Sequence, residues 1–133
     1  MHSATTTFKS IKNKSLLQTK GYINGSWTSA LSGASFDVIN PANLEVLSSI
    51  PEMGKEDTTK AIEAAHAAFK TFKKTTGRER ARMLRKWSDL CHENIEDLAI
   101  ILTMENGKPL AEAKGEVAYG ASFLEWFAGE AER

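Results

Sequence analysis

Residues 76–109 read TGRERARMLRKWSDLCHENIEDLAIILTMENGKP. Thr76-Gly77-Arg78-Glu79 fits a capping box, in which a threonine hydroxyl and a glutamate three residues later satisfy free backbone N–H groups at a helix start. From there Leu84, Trp87, Cys91, Ile95, Leu98 and Leu102 step by three or four along one face, the spacing of an amphipathic helix. Asn106-Gly107 ends the run, because glycine readily takes the left-handed backbone that closes a helix. Pro109 then suits the first turn of a following helix, where its fixed φ is helical and its missing N–H is not needed. This stretch predicts one helix over 77–105, a second from 109, and a helical second half of the chain.

Moving outward toward the C-terminus, the helix over 109–132 carries Leu110, Ala113, Val117, Ala121, Leu124 and Ala128 on one side. Tyr119, Phe123, Trp126 and Phe127 fall on a different side, so the helix is apolar over much of its circumference. That suits a buried helix or one lining an apolar cavity. Core packing is the simpler account of the aromatic stripe and a substrate wall the sharper one. Gly115, Gly120 and Gly129 lie inside this helix at about 1 kcal/mol each relative to alanine, which points to close approach by another segment.

Toward the N-terminus, a helix over 55–74 is predicted by Thr58, Ala61, Ile62, Ala65, Phe69 and Phe72. Glu56 and Asp57 at its start and Lys73 and Lys74 at its end suit the helix dipole. Before Gly54 the pattern is that of strands. Asn24-Gly25 between Tyr22-Ile23 and Ser26-Trp27 marks a tight hairpin. Ser32-Gly33-Ala34-Ser35 is a second turn. Phe36–Ile39 reads as a strand stopped at Asn40-Pro41, and Glu45–Ile50 as a strand ended by Pro51. The expected class is α+β, with short antiparallel strands over 21–51 followed by three helices. Residues 1–15, rich in Ser, Thr and Lys, read as a flexible basic arm before a folded portion over 16–133.

The chain has 133 residues, with 41% hydrophobic and 26% charged, a globular balance with room for one domain. Seventeen bases meet seventeen acids, so the net charge is zero and no global basic field for nucleic acid exists. Residues 1–36 hold four lysines and no acid, and the remainder is correspondingly acidic. No apolar run approaches the ~20 residues of a membrane span. The N-terminal stretch has no apolar segment of signal-peptide length and no arginine before Arg78, so a cytoplasmic location is expected.

Few residues carry candidate chemistry. Cys91 is the only thiol, and it lies in step with Trp87 and Ile95 on an apolar face, which favours a core role. His92 follows it directly, but adjacent helical residues point about 100° apart, so a Cys-His dyad is not expected. Arg78, Arg82 and Arg85 share a helix face, with Glu79 and Asp89 placed to pair with Arg82 and Arg85, as on a solvated surface. Neither GxGxxG nor GxxxxGK[ST] occurs, so no phosphate cradle is assigned.

Several pieces nevertheless coincide in order: Tyr22-Ile23-Asn24-Gly25-x-Trp27, Val38-Ile39-Asn40-Pro41-Ala42, Arg78-Glu79-Arg80-Ala81-x-x-Leu84 and Glu105-Asn106-Gly107-Lys108-Pro109. Over roughly residues 16–133 the chain resembles the N-terminal quarter of the aldehyde dehydrogenase superfamily, an α/β fold. Glu112–Tyr119 and Phe123–Ala128 are similar to succinate-semialdehyde dehydrogenases in particular. The resemblance implies a longer enzyme that oxidises an aldehyde with NAD or NADP through a cysteine thiolate, a glutamate base and an oxyanion hole. In the family those groups and the cofactor loop come later in the chain than Arg133. No catalytic or cofactor-binding residue is therefore assigned here, and the chain alone is expected to be inactive. The resemblance also implies aldehyde-tunnel roles for Phe123, Tyr119, Trp126 and Phe127. It further implies a structural monovalent cation near Glu105 and the carbonyls of Val38 and Ile39, and a homo-oligomer. A non-catalytic interaction module and one half of a split enzyme are the alternatives.

Overall fold

The computed structural model describes residues 8–133. Four strands come first: β1 (Gly21–Ile23), β2 (Ser26–Thr28), β3 (Ser35–Ile39) and β4 (Val46–Pro51). Four helices follow: α1 (Lys55–Phe72), α2 (Gly77–Glu93), α3 (Ile95–Asn106) and α4 (Leu110–Glu130). The strands form two separate antiparallel ladders, β1 with β2 and β3 with β4. The expected α+β layout holds, with the strands before the helices.

The hairpin forms where the Asn-Gly pair predicts it. Asn24 and Gly25 have φ values of 51° and 78°, both left-handed, which matches the twist of the flanking strands. Tyr22 and Trp27 face each other across it as an edge-to-face pair with centroids 5.0 Å apart. β3 ends at Asn40, whose side-chain carbonyl accepts the Ala42 N–H at 2.9 Å and turns the chain ahead of β4. Between Val38 and Ile39 the ladder is shifted, so Val38 opposes Ser48 and Ile39 opposes Val46.

One predicted helix is two. The run over 77–105 breaks at Asn94, which has φ −111° and ψ 17° and serves both as the end of α2 and the start of α3. The Leu90 carbonyl accepts both the Asn94 N–H at 3.2 Å and Asn94 Nδ2 at 2.9 Å, so asparagine caps the end of α2 with its own side chain. The apolar step continues across the break, which is why periodicity alone joins the two pieces. The ends are as expected: Thr76 and Glu79 form the capping box, and Gly107 closes α3 with φ 85°. A Cβ on Gly107 would also stand 3.0 Å from Pro41 Cγ, so this turn packs on the end of β3.

The flexible arm over 1–15 is corrected for residues 8–15; the part at 1–7 lies outside the described residues. Phe8 and Ile11 are buried and form the core cluster with Leu47, flanked by Val38, Ile100, Ile101 and Met104. The Asp97 carboxylate accepts the N–H groups of Lys12 at 3.0 Å and Asn13 at 2.7 Å. Asn13 Nδ2 donates to Asn94 Oδ1 at 3.1 Å. The helix break and the first turn of α3 thus form a seat for the early chain, built from a contact some 85 residues apart in sequence.

α4 lies across α2 and α3. Its inner face is Ala113, Ala121 and Ala128, each 0–1% exposed, and the facing positions on α2 are Ala81 and Ser88. Small residues let the backbones approach closely. The expected inner face of α2 is therefore corrected: Ala81, Leu84, Ser88 and Cys91 turn inward, while Trp87 is 59% exposed. The glycines of α4 are corrected too. A Cβ on Gly115, Gly120 or Gly129 would meet nothing within 4 Å, so alanines, not glycines, mark the close approach.

Candidate functional site

The feature with most chemical content is the outer face of α4. At 100° per residue, Tyr119, Phe123 and Trp126 lie within about 40° of the point opposite Ala121. The alanine seam thus sends the aromatic rings outward by the helical geometry itself. Tyr119 and Phe123 meet edge to face, with centroids 4.8 Å apart and planes at 73°. Phe123 is 45% exposed and Phe127 more so, and Gly120 beside the stripe leaves open space. The four residues expected as a wall form one uncovered aromatic surface, rather than part of the core of the described chain.

Behind the stripe, the helix is tied to its neighbours by polar contacts. Ser88 Oγ donates to the Ala121 carbonyl at 3.0 Å in a buried contact between α2 and α4. Lys114 pairs with Glu96 of α3 at 2.7 Å, and Lys108 pairs with Glu116. Arg85, expected opposite Asp89, instead reaches Glu132 at 2.9 Å, tying α2 to the chain just past α4. Glu79 keeps its expected place, its carboxyl held below the ordinary range first by the Thr76 N–H and hydroxyl.

Glu105 lies at the end of α3 and lines a small cavity of about 110 Å³ with Phe8, Leu16, Leu47, Ser48 and Ile101, among others. Ser48 is the register partner of Val38, so Glu105 and the end of β3 share one neighbourhood. Ile39 lies next to them on the exposed side of the strand. Among the described residues no group of three or more His, Cys, Asp or Glu side chains is placed to hold a metal ion. Cys91 is partly buried, and burial pushes its thiol pKa up, away from the thiolate a nucleophile needs. No described helix is long and apolar enough to cross a membrane.

Three residues that organise this arrangement escaped the sequence reading. Ser88 and Asp97 sit among apolar neighbours with no motif to distinguish them from surface residues. Asp57 does more than complement the dipole of α1. It also accepts the Leu31 N–H at 3.0 Å and the Gly54 N–H at 2.9 Å, which pins the loop after β2 to α1. Those two N–H groups hold its carboxyl below the usual range.

The aldehyde dehydrogenase family model matches residues 27–133. The chain is 50% identical over 123 residues to the glutarate-semialdehyde dehydrogenase of Pseudomonas aeruginosa, covering 92% of this chain and 26% of that protein. It is 47% identical, with the same coverage, to the NADP(+) succinate-semialdehyde dehydrogenase GabD of Escherichia coli. The crystal structure of succinate-semialdehyde dehydrogenase from Burkholderia pseudomallei superposes with a TM-score of 0.91 at 54% identity, over 93% of this chain and 26% of that one. The chain therefore spans about a quarter of the length of these relatives. With the fold, the order of elements and the sequence in agreement, the chain belongs to the aldehyde dehydrogenase family.

Proposed function

We propose that this chain forms the N-terminal portion of an NAD(P)-dependent aldehyde dehydrogenase acting on a short aldehyde that carries an acid group at its far end, with succinate semialdehyde the first candidate. The observation that carries the reading is identity near 50% over 92% of the chain to proteins named for glutarate semialdehyde and succinate semialdehyde. Both are half-aldehydes of dicarboxylic acids. The reaction converts the aldehyde and water to a carboxylic acid while hydride passes to the nicotinamide. In this reading the chain contributes walls rather than reacting groups. Cys91 is not the nucleophile, since burial works against its thiolate. No residue of this chain is assigned to the nicotinamide, since neither glycine-rich phosphate motif occurs in it.

Phe123, flanked by Tyr119 and Phe127 and neighboured by Trp126, forms part of the aldehyde tunnel. The buried contact behind the stripe, fixed by the Ser88–Ala121 hydrogen bond, and the stripe's outward exposure support this, since a tunnel wall must hold its shape and exclude water. Glu105 with the carbonyls of Val38 and Ile39 is the proposed monovalent cation site. Its support is the shared neighbourhood of Glu105, Ser48 and β3, and oxygen donors suit such an ion. A homo-oligomer fits the uncovered apolar side chains.

The test is the aldehyde-oxidising polypeptide that carries this segment, assayed with succinate semialdehyde, glutarate semialdehyde and butanal, each with NAD and NADP. The acid-bearing aldehydes should be preferred, and Phe123→Ala should raise KM severalfold with little change in melting temperature. Equal turnover of butanal would sink the substrate class. An unchanged KM in Phe123→Ala would remove the wall assignment.

A further inference from the structure

Serine inside a helix ordinarily bonds back to its own chain three or four residues earlier. Ser122 does so, donating to the Tyr119 carbonyl at 2.7 Å, and Thr58 and Thr59 of α1 do the same to Gly54 and Lys55. Ser88 does not. Its hydroxyl crosses from α2 to the Ala121 carbonyl of α4, and the side chain is 2% exposed. Ser88 is the only buried polar residue on either helix, among the described residues. Everything else buried along that contact is alanine: Ala81 on one side, Ala121 and Ala128 on the other.

Apolar contact is non-directional, and a seam of methyl groups resists rotation of one helix on another only weakly. A hydrogen bond is directional and fixes an angle. The Ala121 carbonyl has a second lone pair available beyond the helix ladder, so this bond adds a constraint without removing one. Ala121 also lies opposite the aromatic stripe. A ring ~6 Å from the helix axis moves by about 2 Å for each 20° of helix rotation.

We propose that Ser88 is a positioning residue: its hydroxyl sets the rotation of α4, and through it the placement of the Tyr119–Phe123 surface against the aldehyde. This rests on the tunnel-wall reading of Phe123. Ser88 touches no substrate and acts only through α4. Its loss alters which chain length of acid-bearing aldehyde is accepted, because a misplaced wall changes the fit of a methylene more than the chemistry of the carbonyl.

The experiment compares wild type, Ser88→Ala, Ser88→Cys, Ala81→Gly and Phe123→Ala in the aldehyde-oxidising polypeptide, measuring kcat and KM for succinate and glutarate semialdehydes. Ser88→Ala should shift the ratio of the two kcat/KM values by about threefold or more, through KM with kcat nearly unchanged, within the range a single methylene commands. Ser88→Cys keeps a weak donor of similar size, so it should fall between wild type and alanine; it also carries the test if the alanine variant does not fold. Ala81→Gly loosens the same seam without touching the hydroxyl, and it should lower the melting temperature with the ratio unchanged. If Phe123→Ala alters KM but Ser88→Ala and Ser88→Cys move the ratio no further than Ala81→Gly does, Ser88 is merely structural and the proposal falls alone. If Phe123→Ala leaves KM unchanged, the wall reading fails first and takes the proposal with it.

Discussion

α1 and α4 are the two longest helices, at 18 and 21 residues, and they are held in opposite ways. α1 has clear apolar periodicity and well-placed terminal charges. Yet Ile62, Phe69 and Phe72 along it stay exposed, and its firmest anchor is polar: the buried Asp57 carboxylate at its first turn. α4 is apolar over much of its circumference, and two of its faces meet different fates. The alanine face is sealed against α2 and α3, and the aromatic face is left open. Periodicity therefore tells which residues want to leave water, but not which surface will cover them. On these two helices the face of small residues found its partner within this chain, while Ile62, Phe69 and Phe72 of α1 and the aromatic stripe of α4 did not.

The two modes of attachment differ in what breaks them. The heaviest loss is expected where the early chain enters the core. Ile11 is 2% exposed, so Ile11→Ala should cost about 2–5 kcal/mol by the transfer and cavity terms, read as a fall in the urea midpoint. An unchanged midpoint would mean that residues 8–15 are loosely attached after all.

Next comes the alanine seam. Ala121→Leu places a branched side chain where none fits, and overpacking of this kind costs about 1–3 kcal/mol. Calorimetry should show a lowered melting temperature. A neutral result would mean that α4 rests on α2 less closely than a buried Ala121 requires.

The polar anchors respond to acid rather than to size. N–H donation from Asn13 and Lys12, with Lys12 and Lys14 nearby, holds the Asp97 carboxyl below its ordinary value of 3.8. The unfolded chain thus binds the proton more readily than the folded one. The contribution is complete above pH 3.8 and is lost as the pH falls through the lower folded value. Hydrogen exchange at the Lys12 and Asn13 amides should report it, with protection at neutral pH that Asp97→Asn reduces while α2 and α4 keep theirs. Equal protection in the variant would assign the docking of the early chain to Phe8 and Ile11 alone.

The smallest effect is expected on α1. Ile62 is 63% exposed, so Ile62→Ser should change stability by no more than about 0.5 kcal/mol. The same substitution should reduce binding of a hydrophobic dye and light scattering by the isolated chain, since it removes apolar surface. A large destabilisation would instead reveal a covering surface for α1.

Much of this was legible from local chemistry. The Asn24-Gly25 hairpin, the strand stopped by Pro41, the Thr76–Glu79 capping box and the Gly107 stop each depend on backbone rules that a few adjacent residues satisfy by themselves. The aromatic stripe on α4 was legible too, because the i, i+4 spacing of Tyr119, Phe123 and Phe127 places them on one side of any helix. The break at Asn94 was not, since the apolar step runs through it and nothing in that step marks the residue whose backbone leaves the helical region. Nor was the seat of residues 8–15, where two backbone N–H groups of an unremarkable Lys-Asn pair find a carboxylate 85 and 84 residues away.

The sequence by itself determined the kinds of element, their order, every end marked by a cap or turn and the family, because turns, caps and periodicity are short-range properties and the order of motifs is read directly. Tertiary structure alone decided which alanines became a seam, that Ser88 would bond across helices rather than along its own, and that Asp57 and Asp97 would each accept backbone N–H groups from a segment distant in sequence. The physical reason is one of range. A hydroxyl or a carboxylate has the same local chemistry on a solvated surface as in a buried contact, and only the neighbours brought by the fold determine which donor or acceptor completes it.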